Sequence, residues 1–111
     1  MKEYEMRKET NSYGDIYYYN DLNQLHREDG HAIEYANGTK CWCRNGLWHR
    51  EDGPAVEWAN GTKGWHRNGQ LHREDGPAIE LVNGKKEYWL LGIQYKTKKD
   101  YLKQLKLKAF W

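Results

Sequence analysis

His-Arg-Glu-Asp-Gly occurs three times in this chain, at His26–Gly30, His49–Gly53 and His72–Gly76, always 23 residues apart. Two sets of turn signals keep the same step. One is Asn37-Gly38, Asn60-Gly61 and Asn83-Gly84; the other is Asn45-Gly46, Asn68-Gly69 and the altered Leu91-Gly92. A fixed period of roughly 20–50 residues marks a repeat architecture, in which each unit buries its apolar face only against its neighbours. This rules out most compact folds before any single residue is weighed.

Within a repeat, Asn-Gly between two strand-like runs predicts a hairpin with a two-residue type I′ loop. At Asn60-Gly61 that loop pairs Ala59 with Thr62, Glu57 with Gly64 and Val56 with Trp65. Paired residues share a face. The expectation is therefore a face holding Val56, Trp58 and Trp65, with equivalents Ile33, Tyr35, Trp42 and Ile79, Leu81, Tyr88. One repeat back from Trp42, the same step lands on Tyr19. The second turn sends the chain back to the Glu-Asp-Gly-Pro corner. There Asp is expected to cap the turn, Gly to take positive φ and Pro to preset the next strand. His31 replaces Pro in the first full copy, so that corner should be looser.

The predicted fold is mostly β: an elongated, curved antiparallel sheet of about three repeated hairpins with a C-terminal capping helix. All 111 residues form one domain. Residues 1–15 read as an arm or an edge strand, 16–24 as a partial repeat, and 25–47, 48–70 and 71–93 as full copies. Residues 97–108 switch to helical period. Thr97 fits the N-cap, and Leu102, Leu105 and Ala109 form an apolar stripe that Tyr101 widens. Phe110 and Trp111 complete that plug.

Composition bears mainly on what fills such a thin sheet. Six Trp and nine Tyr supply apolar area that the aliphatics do not. The net charge of +2 favours no partner class. No apolar run nears the roughly 20 residues needed to span a bilayer, and the polar N-terminus lacks the core of a secretory signal. A cytoplasmic protein without membrane contact is expected. Cys41 and Cys43 share a strand face, where a disulfide would be strained and a reducing compartment would not keep it.

His, Arg and carboxylate are standard acid–base parts, but one active site needs no three copies. The repeated motif therefore reads as a structural corner, with Arg paired to a carboxylate. No catalytic residue is assigned. The two cysteines lack paired metal spacing, so no metal and no cofactor is expected. The aromatic ladder carries the functional reading. Tyr35, Trp42, Trp58, Trp65 and Tyr88, with Arg44 and Arg67 on the same face, form a candidate partner-binding surface. Its occupant is a host or cognate protein, with self-association as a further use of the face. Alternatively the rings stack nucleotide or nucleic-acid bases, the C-terminal lysines meeting phosphate.

His-Arg-Glu-Asp-Gly-Pro-Ala, Asn-Gly-Thr-Lys, Trp and Arg-Asn-Gly at these spacings resemble the MORN-like repeat proteins of bacteriophages, large viruses and some bacteria. The resemblance spans about residues 16–95. It implies antiparallel hairpins in an elongated, grooved sheet and non-catalytic roles: scaffolding, protein binding and antitoxin-like neutralisation. The His-Arg-Glu-Asp-Gly corner departs from the usual MORN pattern, so lipid binding carries over poorly. A short, free-standing member suits a phage-encoded inhibitor of a host defence protein.

Overall fold

The structure is a computed structural model that describes residues 7–108. Among these residues, thirteen short strands and one helix follow the repeat. β1 (Arg7–Thr10) and β2 (Ile16–Tyr19) come first. β3 (Ile33–Glu34), β4 (Lys40–Cys41), β5 (Cys43–Arg44) and β6 (Leu47–Trp48) form the first full copy. β7 (Val56–Glu57), β8 (Lys63–Gly64), β9 (His66–Arg67) and β10 (Gln70–Leu71) form the second. β11 (Ile79–Glu80), β12 (Lys86–Leu90), β13 (Ile93–Tyr95) and α1 (Lys98–Leu105) are the last elements of the described part. The protein is mostly β, antiparallel, with one C-terminal helix.

A nine-stranded sheet runs β1-β2-β3-β4-β7-β8-β11-β12-β13, and β5-β6 and β9-β10 form separate two-stranded ladders. The backbone changes ladder at Trp42 and Trp65. Each tryptophan backbone N–H donates to the residue just before the next repeat's first strand (Ala55 and Ala78 oxygens, 2.6 and 2.7 Å). Each tryptophan carbonyl accepts from the following histidine N–H, His49 and His72, at 3.0 Å.

The first Asn-Gly loops hold three residues rather than two. Trp58 N–H bonds the Thr62 carbonyl at 2.9 Å, and Val56 pairs with Gly64, one residue off the expected register. Only the glycines take positive φ there, with Gly61 at 95°. Two ties set this geometry. Asn60 Oδ1 accepts the Thr62 N–H at 2.9 Å, an Asx turn, and Thr39 Oγ1 of the preceding repeat accepts the Ala59 N–H at 3.0 Å. The neighbour thus satisfies the donor that a three-residue loop would orphan. The type I′ turns are the second set: Asn45-Gly46, Asn68-Gly69 and Leu91-Gly92 all have two consecutive positive φ values.

The shifted register divides the aromatic residues. Tyr17, Ile33, Cys41, Val56, Gly64 and Ile79 lie opposite one another across the sheet. Tyr35, Trp58 and Leu81, two residues further on, share that inner face. Trp42, Trp65 and Tyr88 point to the other side, so the expected union of Val56, Trp58 and Trp65 on one face does not occur. The first repeat also places Tyr18, not Tyr19, at the Trp42 position. Tyr18 O accepts from His26 N–H as Trp42 O does from His49 N–H. The cause is one extra residue in the first second-type turn, where Asn20 N–H bonds Gln24 O around a three-residue loop.

The core gathers Ala32, Ile33, Cys41, Cys43, Ala55 and Val56, with Tyr17, Leu25 and Trp58 packed on it. Trp48, from β6, meets Trp58 edge-on at 6.5 Å and His66 at 5.1 Å, which joins the small ladder to the main sheet. At the other end β1 forms the edge strand, register Arg7 to Tyr19, and residues 1–6 lie outside the described part. The helix spans Lys98–Leu105 within the expected 97–108, capped by Thr97 Oγ1 at 3.1 Å. Tyr101, not the leucine stripe, is its buried residue; Leu102 stays 45% exposed. Ala109, Phe110 and Trp111 fall outside the described residues.

Candidate functional site: the corner grooves

Each His-Arg-Glu-Asp-Gly corner is wired alike. The histidine spans two hairpins. His49 Nδ1 accepts the Asn68 N–H at 2.9 Å, 19 residues on, which puts the ring proton on Nε2, facing Glu51 Oε2 at 2.8 Å. His26 holds Asn45 and Glu28 in the same way, and His72 holds Leu91 and Glu74. This tie keeps the backbone of Leu91 at φ 51° without Asn in the turn.

The arginine builds the corner. Arg50 Nη1 donates to the Pro54 carbonyl at 3.1 Å, and Nε to Asp52 at 3.0 Å. Its guanidinium lies over the Trp42 ring, 4.2 Å from the centroid. Arg27 lies over Tyr18 at 4.1 Å and Arg73 over Trp65 at 3.8 Å. The corner glycine serves this stack. A Cβ on Gly53 would fall 2.9 Å from the Arg50 guanidinium carbon. Gly30, Gly53 and Gly76 do not take positive φ, and the aspartates pair with arginine instead of capping the turn. The first corner, with His31 for Pro, is the loosest. Arginine Nε to Asp is 3.3 Å at Arg27 against 3.0 and 2.8 Å at Arg50 and Arg73. His31 turns its ring edge to Trp42 at 5.4 Å.

Between successive corners lie two open grooves. The larger, about 590 Å³, has Trp65 with Arg50, Arg67 and Arg73 and the carboxylates of Glu51, Asp52, Glu74 and Asp75. The smaller, about 300 Å³, has Trp42 and Arg44 with Arg50 and four acids of the first two corners. The candidate residues therefore separate. Trp42 and Arg44 line the smaller groove, and Trp65 and Arg67 the larger. Tyr35 and Trp58 sit on the inner face, where Tyr35 meets Tyr17 edge-on at 6.2 Å. Tyr88 occupies the third ladder position but is covered by α1, its ring 4.9 Å from Tyr101. The arginines that plate the rings are Arg27, Arg50 and Arg73, not Arg44 and Arg67. Their repeat phase relative to the aromatics was visible in the sequence, but the contact across corners was not.

The groove electrostatics are lopsided. Arg50 and Arg73 side chains are 21% and 20% exposed, Asp52 and Asp75 82% and 86%. These aspartates meet solvent before the corner arginines do, whereas Arg67, 45% exposed against 29% for Glu74, presents an accessible guanidinium in the larger groove. Glu74 is held below the usual carboxylate range by its bond to His72, helped by Lys108. On the inner face, burial pushes the Cys41 thiol up to about 11 and Cys43 to about 12. Burial lowers His66. Both cysteines are free thiols, and no group of three or more His, Cys, Asp or Glu among the described residues is placed to hold a metal.

No family model matches the chain, and neither a curated protein nor a solved structure does. The grooves are thus read from their own chemistry.

Proposed function

We propose that the chain is a non-enzymatic protein-binding repeat module whose docking surface is the corner side, through Trp42, Arg44, Trp65 and Arg67. The observation that carries this reading is the groove between the second and third corners, where an indole sits beside three arginines and four carboxylates. Trp and Arg are the residue types most often dominant at interfaces, and a mixed-charge rim suits a protein surface. The MORN-like resemblance of the repeats points the same way. On that resemblance the module acts in the cytoplasm by occupation, as a phage-encoded inhibitor of a host defence protein or an antitoxin-like neutraliser. No helix among the described residues is long and apolar enough to cross a membrane.

The test compares two baits, wild type and Trp65→Ala, in quantitative capture from a host extract. A protein enriched on the first should drop by roughly thirtyfold in affinity on the second, the equivalent of about 2 kcal/mol. Identical sets of captured proteins would remove the grooves from the function. The nucleotide alternative is the weaker one, because phosphate would have to approach exposed Asp52 and Asp75. A steep fall of affinity for short single strands with salt would revive it.

A further inference from the structure

Asn-Gly occurs five times in the chain, at Asn37, Asn45, Asn60, Asn68 and Asn83. The pair is chemically fragile, because glycine has no Cβ to keep its backbone nitrogen away from the asparagine side-chain carbon. In every copy the fold ties that nitrogen down, its N–H donating to a backbone carbonyl at 2.8 to 3.0 Å. Reaction at any of them therefore requires local opening of the turn, and its rate follows the cost of that opening.

The five turns are not held equally. At Asn45 and Asn68 the asparagine N–H is also bound, to Nδ1 of His26 and His49. The other three turns form a stack in which each grips the next. Asp15 Oδ1 accepts the Ala36 N–H at 2.7 Å, Thr39 Oγ1 the Ala59 N–H at 3.0 Å and Thr62 Oγ1 the Val82 N–H at 3.3 Å. The third turn is thus held by the longest of the three bonds. It also grips nothing further, since exposed Lys85 stands where Thr39 and Thr62 are buried. Packing ends at the same point. A Cβ on Gly38 would lie 4.0 Å from that of Ala59, and one on Gly61 3.8 Å from Val82 Cγ2, but one on Gly84 would meet no described atom within 4 Å. Opening the third turn breaks the Gly84 N–H to Leu81 carbonyl bond (2.9 Å) and the Asx bond from the Lys85 N–H to Asn83 Oδ1 (3.0 Å) without displacing a following repeat.

We infer that Asn83-Gly84 is a site of spontaneous covalent modification, at which Asn83 becomes aspartate ahead of the other four asparagines. The Gly84 nitrogen gives up its proton and its electron pair forms a bond to Asn83 Cγ. The Cγ–Nδ2 bond breaks, and the amide nitrogen leaves with a proton as ammonia. Water then opens the five-membered imide at either carbonyl, leaving an aspartate linked through its α- or its β-carboxyl. The net change is asparagine plus water to aspartate plus ammonia, with nothing oxidised or reduced. It adds one negative charge beside Lys85 and Lys86 to a chain of net charge +2. None of these residues lines either groove, so the inference is independent of the docking reading.

The test incubates the full chain at mildly alkaline pH in water enriched in heavy oxygen and follows label at each asparagine by peptide mass spectrometry. Asn83 should convert first, about fivefold or more faster than Asn37 or Asn60, the advantage expected from one fewer hydrogen bond to break. In urea the five rates should converge. Thr39→Val removes the acceptor that grips the second turn and should bring Asn60 up toward Asn83. Conversion at Asn83 no faster than at any of the other four in the folded wild-type chain overturns the inference, whatever the variant does. So does the same order of rates in urea, which would assign the ranking to neighbouring residues and not to the fold. A folded Thr39→Val chain with an unchanged rate at Asn60 would remove the stack as its cause.

Discussion

The two faces of the sheet use aromatic rings for opposite purposes. On the inner face Tyr17, Tyr35, Trp48 and Trp58 meet one another or His66 edge-on over buried aliphatics and thiols. On the corner face Tyr18, Trp42 and Trp65 meet no ring of their own ladder; each is plated by an arginine that also ties down a turn. The first arrangement buries area to hold a thin sheet together. The second seats each ring beneath a guanidinium beside carboxylates; exposure does not separate the two faces, since Tyr35 and Trp48 on the inner one are 36% and 37% exposed. The difference teaches that ring count in such a repeat says little about function until the face of each ring is known.

Substitutions can break the comparison. Trp58→Ala should cost about 3 kcal/mol in urea denaturation, as removal of a large packed ring does, and Trp65→Ala visibly less. Equal costs would mean that the corner face is also core. The inner thiols sharpen it next. With Cys41 pushed up to about 11 and Cys43 to about 12, alkylation at pH 8 should run about a hundredfold or more slower in the folded chain than in urea. Equal rates would show the inner face open to solvent.

At the corners, His49→Ala should cost about 2 kcal/mol, because it orphans the Asn68 N–H while opening a buried site. A negligible loss would mean that the histidine tie does not hold the ladders. Arg73→Lys should cost about 1 kcal/mol, since a lysine cannot cover the Trp65 ring and bridge Asp75, the Pro77 carbonyl and Glu80 together. Thermal unfolding would read it, and a stable lysine variant would make the stack incidental.

The smallest effect is in pH. His66 has a lowered folded pKa because burial penalises its charged form. Below its unfolded value of about 6.5 the unfolded chain binds the extra proton, so stability rises with pH through that region and falls in acid. His66→Phe should flatten this part of the profile. An unchanged slope would assign it to other groups.

The 23-residue period, the hairpins and the helix start at Thr97 were legible from spacing alone, as was the placing of Trp42 beside Arg44 and of Trp65 beside Arg67, one pair to each groove. The face of Trp58 was not. Asn-Gly is compatible with both a two-residue and a three-residue loop, and a shift of one residue moves every partner across the sheet. The position of Tyr18 was lost for a similar reason, since one inserted residue at 21–23 is silent when repeats are counted backwards. The plating arginines were misjudged because they reach rings in an adjacent hairpin, at distances no periodicity encodes.

By itself the sequence determined that the chain is an array of hairpins, because repeat spacing and turn residues are local properties. The tertiary structure decided which turn each Asn-Gly adopts and hence which rings face the core. Those loops are completed by Thr39 and Thr62 of the preceding repeat and by His49 and His72 from the far end of their own, and an acceptor supplied from elsewhere in the array leaves no trace in the residues that donate to it.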